Sequence, residues 1–131
     1  MRIGLHVRVS GGYAAAVGRA RALGCTAIQI FSSNPRSYRT SKIDVAALRA
    51  FAEMRREAAV DPCVIHTPYL INLASEDPKV LQGSIGLLKN DLAVAAHGGI
   101  RYVNTHLGSY GKRDRSEGFA AICSALEIVL A

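Results

Sequence analysis

Four times along this chain a short apolar run gives way to a turn and then to a segment of helical periodicity. That rhythm restricts the fold more than any other feature. The runs Ile3–Val7, Thr26–Phe31, Cys63–His66 and Arg101–Thr105 are too short to be helices and end in turn formers, so each is expected to be a strand. Helices are expected over Tyr13–Leu23, Asp44–Ala59, Asp77 to Gly98-Gly99, and from Ser116 to Ala131. Ser10 is available to cap the first, and Asp77-Pro78 places an acidic cap and a first-turn proline on the third. Leu81, Ile85, Leu88, Leu92 and Ala95 step along the buried face of that helix, and the last carries Phe119, Ile122, Leu126 and Val129 at helical spacing.

Alternating strands and helices imply a parallel sheet with crossovers of one hand. Two architectures fit, a short open sheet and a part of a (βα)8 barrel. A barrel takes about 250 residues, so 131 residues amount to roughly half of one. A doubly wound sheet with a phosphate loop fits less well, because Val9-Ser10-Gly11-Gly12 has neither G-x-G-x-x-G nor the P-loop lysine. No composition break or close repeat marks a boundary, so residues 1–131 are expected to form a single domain.

Half of the residues are apolar, enough for a real core, and no run approaches the roughly 18 apolar residues of a membrane span. The N-terminus lacks the apolar core and cleavage site of a signal peptide. Cys25, Cys63 and Cys123 are widely spaced, with no C-x-x-C pair, and are expected to be reduced, buried fillers of a cytoplasmic protein. The net charge of +6 is concentrated after two strands, at Arg36, Arg39 and Lys42 and at Lys112, Arg113 and Arg115. Such a surface suits a polyanion, and a merely solvated face equally well.

Three of the apolar runs lead into a histidine: His6, His66 and His106. One histidine at a strand end is commonly a hydrogen-bonded core residue. Three at equivalent places would bring neutral imidazoles to one rim of a sheet, as a zinc site requires. His97, in the last turn of the third helix, reads as a structural helix-end residue.

With these residues laid out, the chain resembles the endonuclease IV family of apurinic/apyrimidinic (AP) endonucleases, within the xylose-isomerase-like TIM barrel superfamily. The resemblance runs through four ordered motifs: Ile3–Val7 with Ser10-Gly11-Gly12, the loop Phe31–Arg39 with Asn34-Pro35-Arg36, His66-Thr67-Pro68-Tyr69-Leu70-Ile71-Asn72-Leu73, and Asn104–Ser109. It implies an α/β fold, the (βα)4 N-terminal half of a TIM barrel. It also implies a zinc-dependent DNA-repair hydrolase, cutting the phosphodiester 5′ to an abasic site in double-stranded DNA and leaving a 3′-hydroxyl. Carried over by position, it makes His66 and His106 ligands of one metal in a cluster of three zinc ions. Arg36, Tyr69 and Leu70 become DNA-facing residues that enter the duplex at the lesion. An abasic site is already unstacked, so a wedge there works against less resistance than in paired DNA. His6 is expected at the metal rim but not as a ligand. Asn104 and Ser109 are candidates to orient the ligand rings.

The family's remaining acidic and histidine ligands come from strands five to eight, whereas this sequence has four βα units. The expectation for the chain alone is therefore little or no cleavage. An open half barrel also leaves two strand edges unpaired, so self-association or a complementary C-terminal half is expected. Two other readings remain: a non-catalytic half barrel that binds nucleic acid or self-assembles, and a fragment of a metal-dependent sugar isomerase-like barrel.

Overall fold

The computed structural model describes residues 1–40 and 42–131. In it, strands β1 (Gly4–His6), β2 (Ala27–Ile30), β3 (Cys63–His66) and β4 (Tyr102–Asn104) alternate with helices α1 (Tyr13–Ala22), α2 (Val45–Glu57), α3 (Pro78–His97) and α4 (Arg115–Leu130). The strands are parallel and hydrogen-bonded in sequential order, β1-β2-β3-β4. Sequential order with right-handed crossovers puts every helix on one face of the sheet. The result is the parallel α/β sheet that the alternation implied, in the (βα)4 half-barrel form that the resemblance implied.

Strand periodicity divides the side chains between two faces. Ile28, Ile30, Cys63 and Ile65 are buried towards the helices, while Gln29, Val64 and His66 occupy the intervening positions. One core cluster gathers α1, α2 and the central strands around Ile30, Phe51 and Ile65. A second lies between α3 and α4, around Leu73, Leu87, Leu88 and Val129. Arg55 joins α2 to the end of α3: it is buried, stacks on Phe51, and donates to the Gly98 carbonyl at 2.7 Å.

Three helices start on an aspartate whose carboxylate accepts a backbone N–H of the first turn. Asp44 serves Ala47, Asp77 serves Lys79 and Asp114 serves Glu117. The first helix departs from expectation. Gly12, not Ser10, sits at its N-cap, with no side-chain bond. Gly11 and Gly12 both turn the chain at positive φ, which carries Ser10 away from the helix end. The Ser10 carbonyl instead accepts from Arg19 at 2.8 Å, alongside that of Arg8.

One expectation about burial is corrected: Cys123 is exposed, while Cys25 and Cys63 are buried. Phe119, at helical spacing with Ile122, Leu126 and Val129, is 67% exposed. α4 packs on α3 and has no helix beyond it, so only part of its apolar surface is covered. The edge strands are also shorter than the apolar runs suggested, Gly4–His6 and Tyr102–Asn104, and Leu5 and Tyr102 on them stay exposed. No described helix is long and apolar enough to cross a membrane.

Candidate metal centre and nucleic-acid face

His66 is the last residue of β3, opposite Asn104 in the β3–β4 register, and His106 follows two residues later in the loop after β4. The register therefore delivers both imidazoles to the same rim. Their ring centroids are 5.0 Å apart, inclined at 63°. A zinc–nitrogen bond of about 2.0–2.1 Å puts an ion roughly 3.2 Å from each ring centre, and a tetrahedral angle then separates the rings by about 5 Å. The observed spacing fits that requirement.

Tautomer chemistry fits as well. Nδ1 of His66 lies 2.7 Å from the Thr67 carbonyl, which can only accept, so Nδ1 carries the proton and Nε2 keeps its lone pair. His6 differs. The Gln29 amide donates to its Nδ1 at 2.9 Å, leaving its proton on Nε2, and its ring centroid lies 4.3 Å from that of Phe31, tilted, and 6.4 Å from that of His66, edge-on. Burial, and then the neighbouring His66, lower its pKa, which favours the neutral ring. Among the described residues, no set of three His, Cys, Asp or Glu side chains converges closely enough to enclose an ion.

The nucleic-acid candidates surround this pair. Tyr69 is 58% exposed, with its ring 5.9 Å from that of His66, 6.3 Å from that of His106 and 5.2 Å from that of Phe31. Its N–H donates to the Pro35 carbonyl at 3.1 Å, and the Tyr38 hydroxyl donates to the Leu70 carbonyl at 2.9 Å. These bonds fasten the Arg36 loop to the loop carrying Tyr69 and the half-buried Leu70. Arg36 is exposed, its own N–H turned onto Asn34 Oδ1 at 3.0 Å. Arg39, Lys42, Lys112 and Arg115 are exposed too. Arg113 is not a free surface cation: it donates to the Ala74 carbonyl at 3.0 Å and pairs with Glu76 at 3.5 Å.

Neither the Asn104 nor the Ser109 side chain bonds to an imidazole among the described residues. The His66 ring uses Thr67 O, Asn104 offers its carbonyl to Thr67 N at 2.9 Å, and Ser109 Oγ accepts from Gly111 N at 3.3 Å. Three residues not singled out from the sequence shape the rim instead. Thr67, fully buried, donates its hydroxyl to Thr105 Oγ1 at 3.1 Å. Asn72 bridges the loops after β3 and β4. Asp91, fully buried on α3, accepts from the Ser32 hydroxyl, and its Oδ2 has no partner among the described residues. Burial pushes its pKa up to about 6, against the Ser32 bond and the nearby His66, which lower it. A signal was present, since Ser84 and Asp91 interrupt the apolar stripe Leu81, Ile85, Leu88, Leu92, Ala95.

The model of the xylose isomerase-like TIM barrel family matches residues 17–131. The chain is 38% identical over 130 residues to a probable endonuclease 4 of Natranaerobius thermophilus, covering 99% of this chain and 46% of that one. It is 41% identical over 116 residues to an endonuclease 4 of Thermus thermophilus, covering 87% and 42%. The crystal structure of an endonuclease IV from Thermus thermophilus superposes with a TM-score of 0.78 at 35% identity, over 100% of this chain and 48% of that one. A D-psicose 3-epimerase superposes at 0.68 with 14% identity, over 99% and 49%, a likeness of fold alone. The chain spans about half the length of the curated relatives it matches.

Proposed function

From the premise that this chain belongs to the xylose isomerase-like TIM barrel family, we propose that it is the N-terminal half of an endonuclease IV-type AP endonuclease. The observation that carries the proposal is the His66–His106 pair, two imidazoles from adjacent strand ends with ring centroids 5.0 Å apart and no bond on His66 Nε2 among the described residues. Relatives named endonuclease 4 support DNA as the substrate. Zinc bound between the rings would supply Lewis acidity and lower the pKa of a bound water.

The chain's own residues prepare that site. Thr67 O fixes the His66 ring, and burial keeps His6 neutral beside it. Tyr69 stands over the pair and, with Leu70, presents apolar surface where an unstacked lesion would open. Arg36, fastened to the same loop, meets the phosphate backbone. A nucleotide extruded at the lesion would thus have stacking surface and cation on one side and the metal on the other.

Two imidazoles are fewer than the three protein ligands of a catalytic zinc, so this chain alone cuts abasic DNA little or not at all. The remaining donors come from a complementary C-terminal half, which would also cover Leu5 and Tyr102 on the open edges. A second copy of the chain could cover those edges but brings only the same two donors.

The test is incision of a duplex with one abasic site, in zinc, by the chain alone and by the chain mixed with the C-terminal half of an endonuclease IV. Expected are no incision alone, incision by the mixture, and its loss with His66→Ala or His106→Ala. Zinc-dependent cutting by the chain alone would refute the ligand count. A mixture that tolerates both substitutions would refute the site.

A further inference from the structure

We propose that Asn72 is a positioning residue: it holds the loop bearing His106 against the loop following His66 and thereby sets the gap between the two rings. The inference rests on the reading of those histidines as metal ligands. Asn72 Oδ1 accepts from the N–H groups of Ala74 at 3.0 Å and Ser109 at 3.2 Å, and Nδ2 donates to the Ser109 carbonyl at 3.1 Å. One planar amide therefore takes both backbone groups of Ser109, as a neighbouring strand would. An amide at this side-chain length supplies donor and acceptor together, which Asp, Ser and Thr cannot do in this geometry.

The next residue reinforces the join, since Leu73 N–H donates to the Leu107 carbonyl at 3.0 Å. Asn72 is itself anchored from behind. Its N–H donates to Ser84 Oγ at 2.9 Å, and that buried hydroxyl donates to Val80 O at 2.7 Å within α3. Gly108 records how closely the loops approach: a Cβ there would stand 2.1 Å from Asn72 Oδ1.

The consequence falls on His106. Its ring makes no hydrogen bond among the described residues, so its place depends on the loop that carries it. That loop is held at one end by Thr67 N–H on Asn104 O at 2.9 Å, and at the other by Asn72 and Leu73 on Ser109 and Leu107. His106 sits between the two fastenings. Releasing Asn72 frees Ser109 and leaves that end of the loop on the single Leu73–Leu107 backbone bond.

The experiment compares Asn72→Ala and Asn72→Asp in the 131-residue chain with Ser84→Ala, which weakens the same junction without touching Ser109. NMR reads amide exchange at Ser109, NOEs between the His66 and His106 rings, and the response of both rings to added zinc. With Asn72→Ala, exchange at Ser109 is expected to rise at least about tenfold, the ring–ring NOEs to weaken, and zinc affinity to fall about 10–100-fold. Asn72→Asp keeps an acceptor but sets a carboxylate oxygen against the Ser109 carbonyl, so it should shift all three readouts in the same direction. It also decides the question if the alanine variant does not fold. Ser84→Ala should lower Tm yet keep the three readouts within about twofold. Unchanged exchange and NOEs in the Asn72 variants, or equal disturbance by Ser84→Ala, would overturn the proposal. If the unsubstituted chain shows the ring NOEs but no zinc response, the metal reading fails, while exchange and NOEs still judge Asn72.

Discussion

Replacing Asp91 by asparagine should change how stability depends on pH, and the structure sets the size of the change. The carboxyl is fully buried, bonded through one oxygen to Ser32, with the other oxygen unpartnered among the described residues. Burial raises its pKa from 3.8 to about 6. Because the folded-state value lies above the unfolded one, the folded protein binds more protons between those two pH values, and stability falls as pH rises through the window. At about 1.4 kcal/mol per unit, the whole loss is about 3 kcal/mol, of which about 2 kcal/mol falls between roughly pH 4.5 and 7.5. Asparagine keeps the shape and does not titrate. Its amide N–H₂ inherits a place without an acceptor, at a cost of about 1–3 kcal/mol that is the same at every pH. The clean quantity is therefore the pH dependence of the difference between the two proteins. Urea unfolding of both at several pH values should show Asp91→Asn gaining about 2 kcal/mol on the parent from about pH 4.5 to 7.5. With a urea slope of about 1–3 kcal/mol per molar, that is a relative midpoint shift of roughly 1 M. A difference that stays flat within about 0.5 kcal/mol would refute a carboxyl titrating in a dry environment.

Gly108→Ala should destabilise the chain by about 2–4 kcal/mol, because φ is +97° and the new methyl would overlap Asn72; thermal unfolding checks this, and a change below about 0.5 kcal/mol would count against the loop contact. In native protein a thiol reagent should modify Cys123 quickly and spare Cys25 and Cys63, with all three reacting in denaturant. Burial pushes the Cys63 thiol up to about 11, so little thiolate forms there near neutral pH. Fast modification of two or more thiols without denaturant would contradict that burial.

Local features were legible where the physics is local. The Asp77 cap acts within two residues and was visible as a letter next to a periodic run. The Ser10 cap failed because two glycines at positive φ intervene, and a residue string does not show which way they turn. Phe119 and Cys123 have the spacing and chemistry of buried residues, but a helix face is buried only if something packs on it, and α4 has α3 on one side alone. Arg113 looked like part of a basic patch and proved to be spent on Ala74 and Glu76.

The amino-acid sequence by itself determined the alternation of strand and helix and put histidines at strand ends, because both follow from periodicity and turn chemistry over a few neighbouring residues. Only the tertiary structure decided that His66 and His106 lie 5.0 Å apart, since that gap follows from the pairing of β3 with β4 across a 20-residue helix. Only it could show Asn72 holding Ser109, Tyr69 standing beside both rings, and Asp91 left half-partnered in the core. Each of those depends on backbone segments far apart in the chain meeting at one rim, and their meeting is set by register and packing rather than by any nearby residue.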